Sequence, residues 1–93
     1  MPLHEKHRKS AREQVANGAL LLDVRTPAEF SERHISGAVN IPVQELGARL
    51  SELGSKQRPV VVYCRSGARS AAAAQLMRRT GYEVLDIGGM SNW

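Results

Sequence analysis

Apolar and polar positions follow two rhythms along the chain. Leu20-Leu21-Leu22 runs without a polar break until Asp23, and Val60-Val61-Val62-Tyr63 does the same behind Pro59. Short leucine or β-branched runs of this kind read as strands covered on both faces. Helical signals lie between them. Ser10 and Glu13 have the spacing of a capping box and Gly18 follows as a stop, so a short helix is expected over 11–17. Thr26-Pro27-Ala28-Glu29 is a second capping box with proline at the first helical position, opening a helix that ends near His34. Residues 38–41 read as a short strand closed by Pro42, after which Val43, Leu46, Leu50 and Leu53 recur at helical spacing and predict a helix over 43–53. The alanine-rich stretch 68–80 has Arg78 and Arg79 in its last turn and Gly81 behind it, which predicts a further helix. A last strand over 83–87 precedes Gly88-Gly89.

Helix and strand therefore alternate from end to end with short connections. This pattern predicts an α/β fold with right-handed crossovers: a small, mostly parallel sheet of four to five strands, flanked by helices on both faces. No repeat or linker divides the chain, so 1–93 is read as one domain, with the strongly polar residues 1–9 expected to be poorly ordered. Ligands of such sheets collect outside the carboxyl ends of the strands. Two polar clusters fall there, Asp23 to Arg25 and the segment that begins at Cys64.

Composition narrows the function. A chain of 93 residues with 42% hydrophobic and 24% charged side chains is an ordinary globular domain, and folding buries roughly 64% of its surface. Aromatic residues make up only 4%, too few for a platform that stacks single-stranded nucleic acid. The net charge of +4 includes Lys6, Arg8, Lys9 and Arg12, but Glu5 and Glu13 are interleaved with them, which fits a solvated segment and no nucleic-acid partner. No apolar run reaches the ~18 residues of a membrane span, and no signal segment opens the chain. The default location is cytoplasmic, with a mature periplasmic form as the alternative. Cys64 is the single cysteine, which removes an internal disulfide, and His4, His7 and His34 lack metal-ligand spacing beside it, so no metal and no cofactor are expected.

Cys64-Arg65-Ser66-Gly67-Ala68-Arg69-Ser70 lies between a predicted strand end and a predicted helix start. Backbone amides and the positive helix terminus converge at such a place and favour an anion. A thiol there has its pKa lowered and becomes a nucleophile at neutral pH; otherwise Cys64 is a small buried hydrophobe. Arg65 and Arg69 can add donors for an oxyanionic substrate, although Arg69 could equally tie the loop to Asp23 or another acid. Asp23 reads as a structural acceptor for loop amides or Arg25, and Arg25 and Glu29, four apart, read as an ion pair. Ser66 and Ser70 are hydroxyls near the sulfur or ordinary cap residues.

The combination LLDVRTPAEFSERHISGAVNIP, VVVYCRSGARS and GGMSNW, in that order, resembles the rhodanese-like domain family, specifically its bacterial single-domain members, from about Leu20 to Trp93. The resemblance implies a sulfurtransferase without cofactor that takes sulfane sulfur from a donor such as thiosulfate and passes it to cyanide or a thiol. It makes Cys64 the catalytic persulfide carrier and gives Arg65, Ser66, Gly67, Ala68 and Arg69 the role of a substrate-binding loop. Arg65 directly after the cysteine favours thiosulfate over mercaptopyruvate. Asp23, Arg25, Glu29 and His34 become structural supports, His34 ordering its turn. Phosphatase and arsenate-reductase relatives carry five residues between cysteine and arginine where this chain carries four, a tighter cradle suited to one sulfur. The resemblance also implies an edge trimmed at each terminus. The rival readings are a sulfur-carrier or regulatory module that docks a protein acceptor, and a one-cysteine redox sensor. A monomer is expected.

Overall fold

A computed structural model describes residues 11–93. The cap at Ser10, the histidines at positions 4 and 7, the bases at positions 6, 8 and 9 and the expected disorder of 1–9 all lie outside the described residues. Helix α1 covers residues 11–16 and leads into β1, Leu20–Asp23. Helix α2 is Pro27–Glu32, β2 is Val39–Asn40, α3 is Val43–Leu46, and a 3-10 segment follows over Gly47–Leu53. Strand β3 is Val60–Cys64, α4 is Ala68–Arg79, β4 is Val84–Gly89, and a 3-10 turn, Met90–Asn92, closes the chain. The four strands run parallel in the order β2-β1-β3-β4.

The continuous apolar runs are central strands for a physical reason. Leu20, Leu22, Val24, Val60, Val62 and Cys64 face Ala73, Ala74 and Met77 of α4 and Leu46 of α3. The intervening Leu21, Val61 and Tyr63 face Ala11 of α1 and the C-terminal turn. Each strand is thus buried on both sides, and the alternation of side chains turns Cys64 toward the start of α4. Arg12 ties the C-terminal turn to α1: its Nε donates to the Trp93 carbonyl at 2.8 Å and its guanidinium sits 5.0 Å over the indole.

The capping box of α2 is formed. Glu29 N–H donates to Thr26 Oγ1 at 3.1 Å, and Thr26 N–H donates to Glu29 Oε1 at 2.9 Å. The helix ends before His34 because Arg33 is extended and its carbonyl accepts from Arg25 Nη2 at 2.6 Å. The expected helix over 43–53 passes from α-helix to 3-10 helix at Gly47 and is kinked at Arg49, whose guanidinium is held by Glu45 and Glu52. Apolar steps of three residues suit a 3-10 turn as well as an α-helix. Strand β2 is shorter than expected because Asn40 turns its side chain to the carbonyls of Asp23 and Arg25, at 3.0 and 2.9 Å. Strand β4 runs past Ile87 through the glycine pair, with a register shift after Val62 that sets Cys64 beside Gly89.

Candidate active site

Chain direction is what assembles the site. From β1 the chain crosses to β2 on one side, and β3 then lies on the other side of β1, so the carboxyl ends of β1 and β3 form a topological switch point. Asp23 and Cys64 stand at those two ends.

Beyond Cys64 the chain turns through Arg65 and Ser66 into Gly67, whose φ of +108° is left-handed backbone that only glycine adopts without strain. That turn directs amides inward: Gly67 N–H donates to Cys64 Sγ at 3.0 Å. In the protonated state the thiol donates to Ser70 Oγ at 3.5 Å and Ser70 donates on to the Gly67 carbonyl at 3.1 Å; a thiolate only accepts, and the hydroxyl is within reach to donate to it. Burial pushes the Cys64 pKa up, but the Ser70 hydroxyl and the backbone amides of Ser70, Gly67 and Ser66 outweigh it and hold the thiol below its ordinary value. Cys64 and Ser70 are buried, while Arg65, Ser66 and Ala68 form the exposed rim.

The two arginines of the loop have different tasks. Arg69 makes a paired contact to Glu29, Nη1 to Oε1 at 2.7 Å and Nη2 to Oε2 at 3.0 Å, which staples the first turn of α4 to the first turn of α2. Of the two roles open to Arg69 the geometry displays the second, with Glu29 as the acid in place of Asp23. Its charge still acts on the sulfur: Cys64 is among the groups that hold the Arg69 pKa up, after Glu29 itself. Arg69 and Thr26 together draw the Glu29 carboxyl down to about 2. The Arg65 side chain has no hydrogen bond or ion pair among the described residues.

The expected pair between Arg25 and Glu29 is not formed. The chain bends just past β1 and brings Arg25 back onto Asp23: its Nη2 lies 2.7 Å from Oδ2, its Nε bonds both carboxylate oxygens, and its backbone N–H donates to Oδ1 at 2.9 Å. Tyr63, paired with Asp23 across the sheet, donates its hydroxyl to Oδ2 at 2.7 Å and accepts from Ile35 N–H. Burial pushes the Tyr63 pKa up to about 12, so the phenol remains a donor. Asp23 therefore holds Arg25 and a loop amide, as its position suggests. His34 is exposed and stacked on Phe30, and its Nδ1 lies 2.7 Å from the Phe30 carbonyl; a carbonyl only accepts, so Nδ1 carries a proton and caps the end of α2.

Two contributors escape a sequence reading. Tyr63 reads as plain strand, although a buried hydroxyl always raises the question of its partner. Of the two roles open to Ser70, a cap or a hydroxyl near the sulfur, the structure displays the contact with the sulfur. Gly89 abuts the loop itself: a Cβ there would stand 2.7 Å from the Arg65 carbonyl oxygen, a contact real side chains do not make.

The family profile described as rhodanese-like domain matches residues 6–93. The chain belongs to the rhodanese-like domain family. A protein named sulfurtransferase from Allochromatium vinosum is 45% identical over 76 residues, which are 80% of this chain and 70% of that protein. Thiosulfate sulfurtransferase PspE of Escherichia coli is 34% identical over 73 residues, 76% of this chain and 70% of its own length. Among solved structures, a rhodanese with anions from E. coli superposes with a TM-score of 0.76 at 32% identity, covering 82% of this chain and 92% of that one. The rhodanese-like fold accounts for the cysteine loop at a strand end. Among the described residues, no helix is long and apolar enough to cross a membrane.

Proposed function

We propose that this rhodanese-like domain is a sulfurtransferase that takes sulfane sulfur from thiosulfate onto Cys64 and delivers it to cyanide or a thiol. The observation that carries this reading is the thiol held against the Gly67 amide at 3.0 Å with its pKa lowered. The similarity to proteins named sulfurtransferase supports it.

The Cys64 thiolate attacks the sulfane sulfur of thiosulfate. A bond forms between Sγ and that sulfur as the sulfur–sulfur bond of the donor breaks, and the electron pair leaves with sulfite. Thiolate and thiosulfate are both anionic, so their approach needs compensation; inward amides, the amino end of α4 and Arg65 supply it. Arg65 and Ser66, on the exposed rim, meet the donor first. Gly67 and Ala68 shape the turn below them, and Arg69 holds it in place through Glu29. In the second half-reaction the acceptor attacks the outer sulfur, and the thiolate returns. No general base is required, because the loop itself favours the thiolate.

The test is steady-state turnover: sulfite release from thiosulfate in the presence of cyanide, with thiocyanate formed in equal amount and both lost in Cys64→Ala. Sulfur loading without turnover to cyanide or small thiols would instead indicate a carrier that needs a docked protein acceptor. Absence of both loading and turnover with thiosulfate would overturn the proposal.

A further inference from the structure

A cavity of about 360 Å³ opens beside the cysteine loop, lined in part by Glu32, Arg33, Arg65, Met90 and Ser91. It lies at the carboxyl ends of the strands: Arg65 follows Cys64 directly, and Met90 and Ser91 follow Gly89, the register partner of Cys64. Its volume falls in the small-molecule range, about 300–1,000 Å³, and exceeds what cyanide or thiosulfate requires.

The charges of the wall sort into two groups. Arg25 is neutralised by Asp23 and Glu29 by Arg69. Glu32, Arg33 and Arg65 have no side-chain partner among the described residues, which leaves one free carboxylate and two free guanidinium groups around one opening. The backbones that carry the two arginines are fixed. The Arg33 carbonyl accepts from Arg25 at 2.6 Å, and the Arg65 carbonyl packs against Gly89.

We infer that this cavity is the acceptor site, and that it selects a small thiol bearing both an ammonium group and carboxylate. Glu32 receives the ammonium, and Arg33 and Arg65 receive carboxylate. The inference rests on sulfur transfer through Cys64. The acceptor thiolate attacks the outer sulfur of the Cys64 persulfide; the new sulfur–sulfur bond forms as the bond to Sγ breaks, and Sγ keeps the electron pair as thiolate. The acceptor departs as a persulfide, and no oxidant is consumed.

The experiment loads Cys64 with thiosulfate, verifies the added sulfur by intact mass, and then times its transfer to three thiols. Cysteamine carries only the ammonium, 3-mercaptopropionate only the carboxylate, and glutathione both. Each thiol is compared with itself across variants, so its intrinsic nucleophilicity cancels. Glu32→Gln is expected to slow cysteamine and speed 3-mercaptopropionate, Arg33→Gln to do the reverse, and each to slow glutathione, by roughly two- to fivefold, the worth of an exposed ion pair. Equal effects on all three thiols would overturn the inference, as would the same crossing in Glu83→Gln at the amino end of β4, which would reveal only a diffuse field. A chain that takes up no sulfur overturns the proposed function together with this inference, whereas a loaded chain indifferent to acceptor charge overturns this inference alone.

Discussion

At the scale of single residues, Cys64 is the outcome of opposed effects. Burial favours the neutral thiol, while Ser70 and the inward amides favour the thiolate and prevail. Ser70→Ala removes one stabilising contact at the sulfur, while the Gly67 carbonyl keeps the Ala71 N–H at 3.0 Å. The thiolate absorbance of that variant is expected to titrate at higher pH than in the unsubstituted chain, with the acid limb of the pH–rate profile moving in the same direction; an unmoved midpoint would remove Ser70 from the account. Arg25 answers to stability instead. Arg25→Met leaves the fully buried carboxylate of Asp23 with the Tyr63 hydroxyl and the backbone N–H of residue 25 but no countercharge, and the expected loss is about 3–5 kcal/mol in denaturant unfolding. The thiol and its loop are legible in the sequence because their neighbours are local. The Tyr63 partner is not, since Asp23 stands forty positions away in the chain.

Among the elements, the glycine pair at the end of β4 and the staple between α2 and α4 hold the loop. Gly89→Ala would drive a Cβ against the backbone oxygen of Arg65, where no flexible side chain can yield. Overpacking of this kind costs about 1–3 kcal/mol, so melting is expected to fall by at least ~4 °C, accompanied by a shifted thiolate midpoint. A lowered melting temperature with the thiol unaffected would mean that Gly89 supports the sheet and not the loop. Periodicity and capping signals locate every α-helix and strand among the described residues but misjudge extents and leave out the 3-10 turn Met90–Asn92. The helix over 43–53 changes type because steps of three serve either helix type, and β2 shrinks because Asn40 bonds through its side chain. Neither cause is visible in a local pattern.

For the whole molecule, alternation of helix and strand is enough to foresee a parallel sheet covered on both faces with its site at the carboxyl ends. It is not enough to order the strands, because nothing local to Val39 or Val84 tells which side of the central pair each one joins. Acid stability is a property at this scale. The Glu29 carboxyl is held at about 2 in the fold against an ordinary 4.5, chiefly by Arg69. A lowered native pKa contributes stability that is complete above about pH 4.5 and is lost as pH falls toward 2. The unsubstituted chain should therefore exceed Glu29→Gln by about 1–2 kcal/mol near neutrality once solvent screening is allowed for, and the gap should close across that window. A gap independent of pH would contradict the staple. The central claim, that Cys64 accepts sulfane sulfur, is tested most directly by intact mass after exposure to thiosulfate: the account predicts a gain of one sulfur atom that is absent in Cys64→Ala, and no gain, or a gain that survives the substitution, would contradict it.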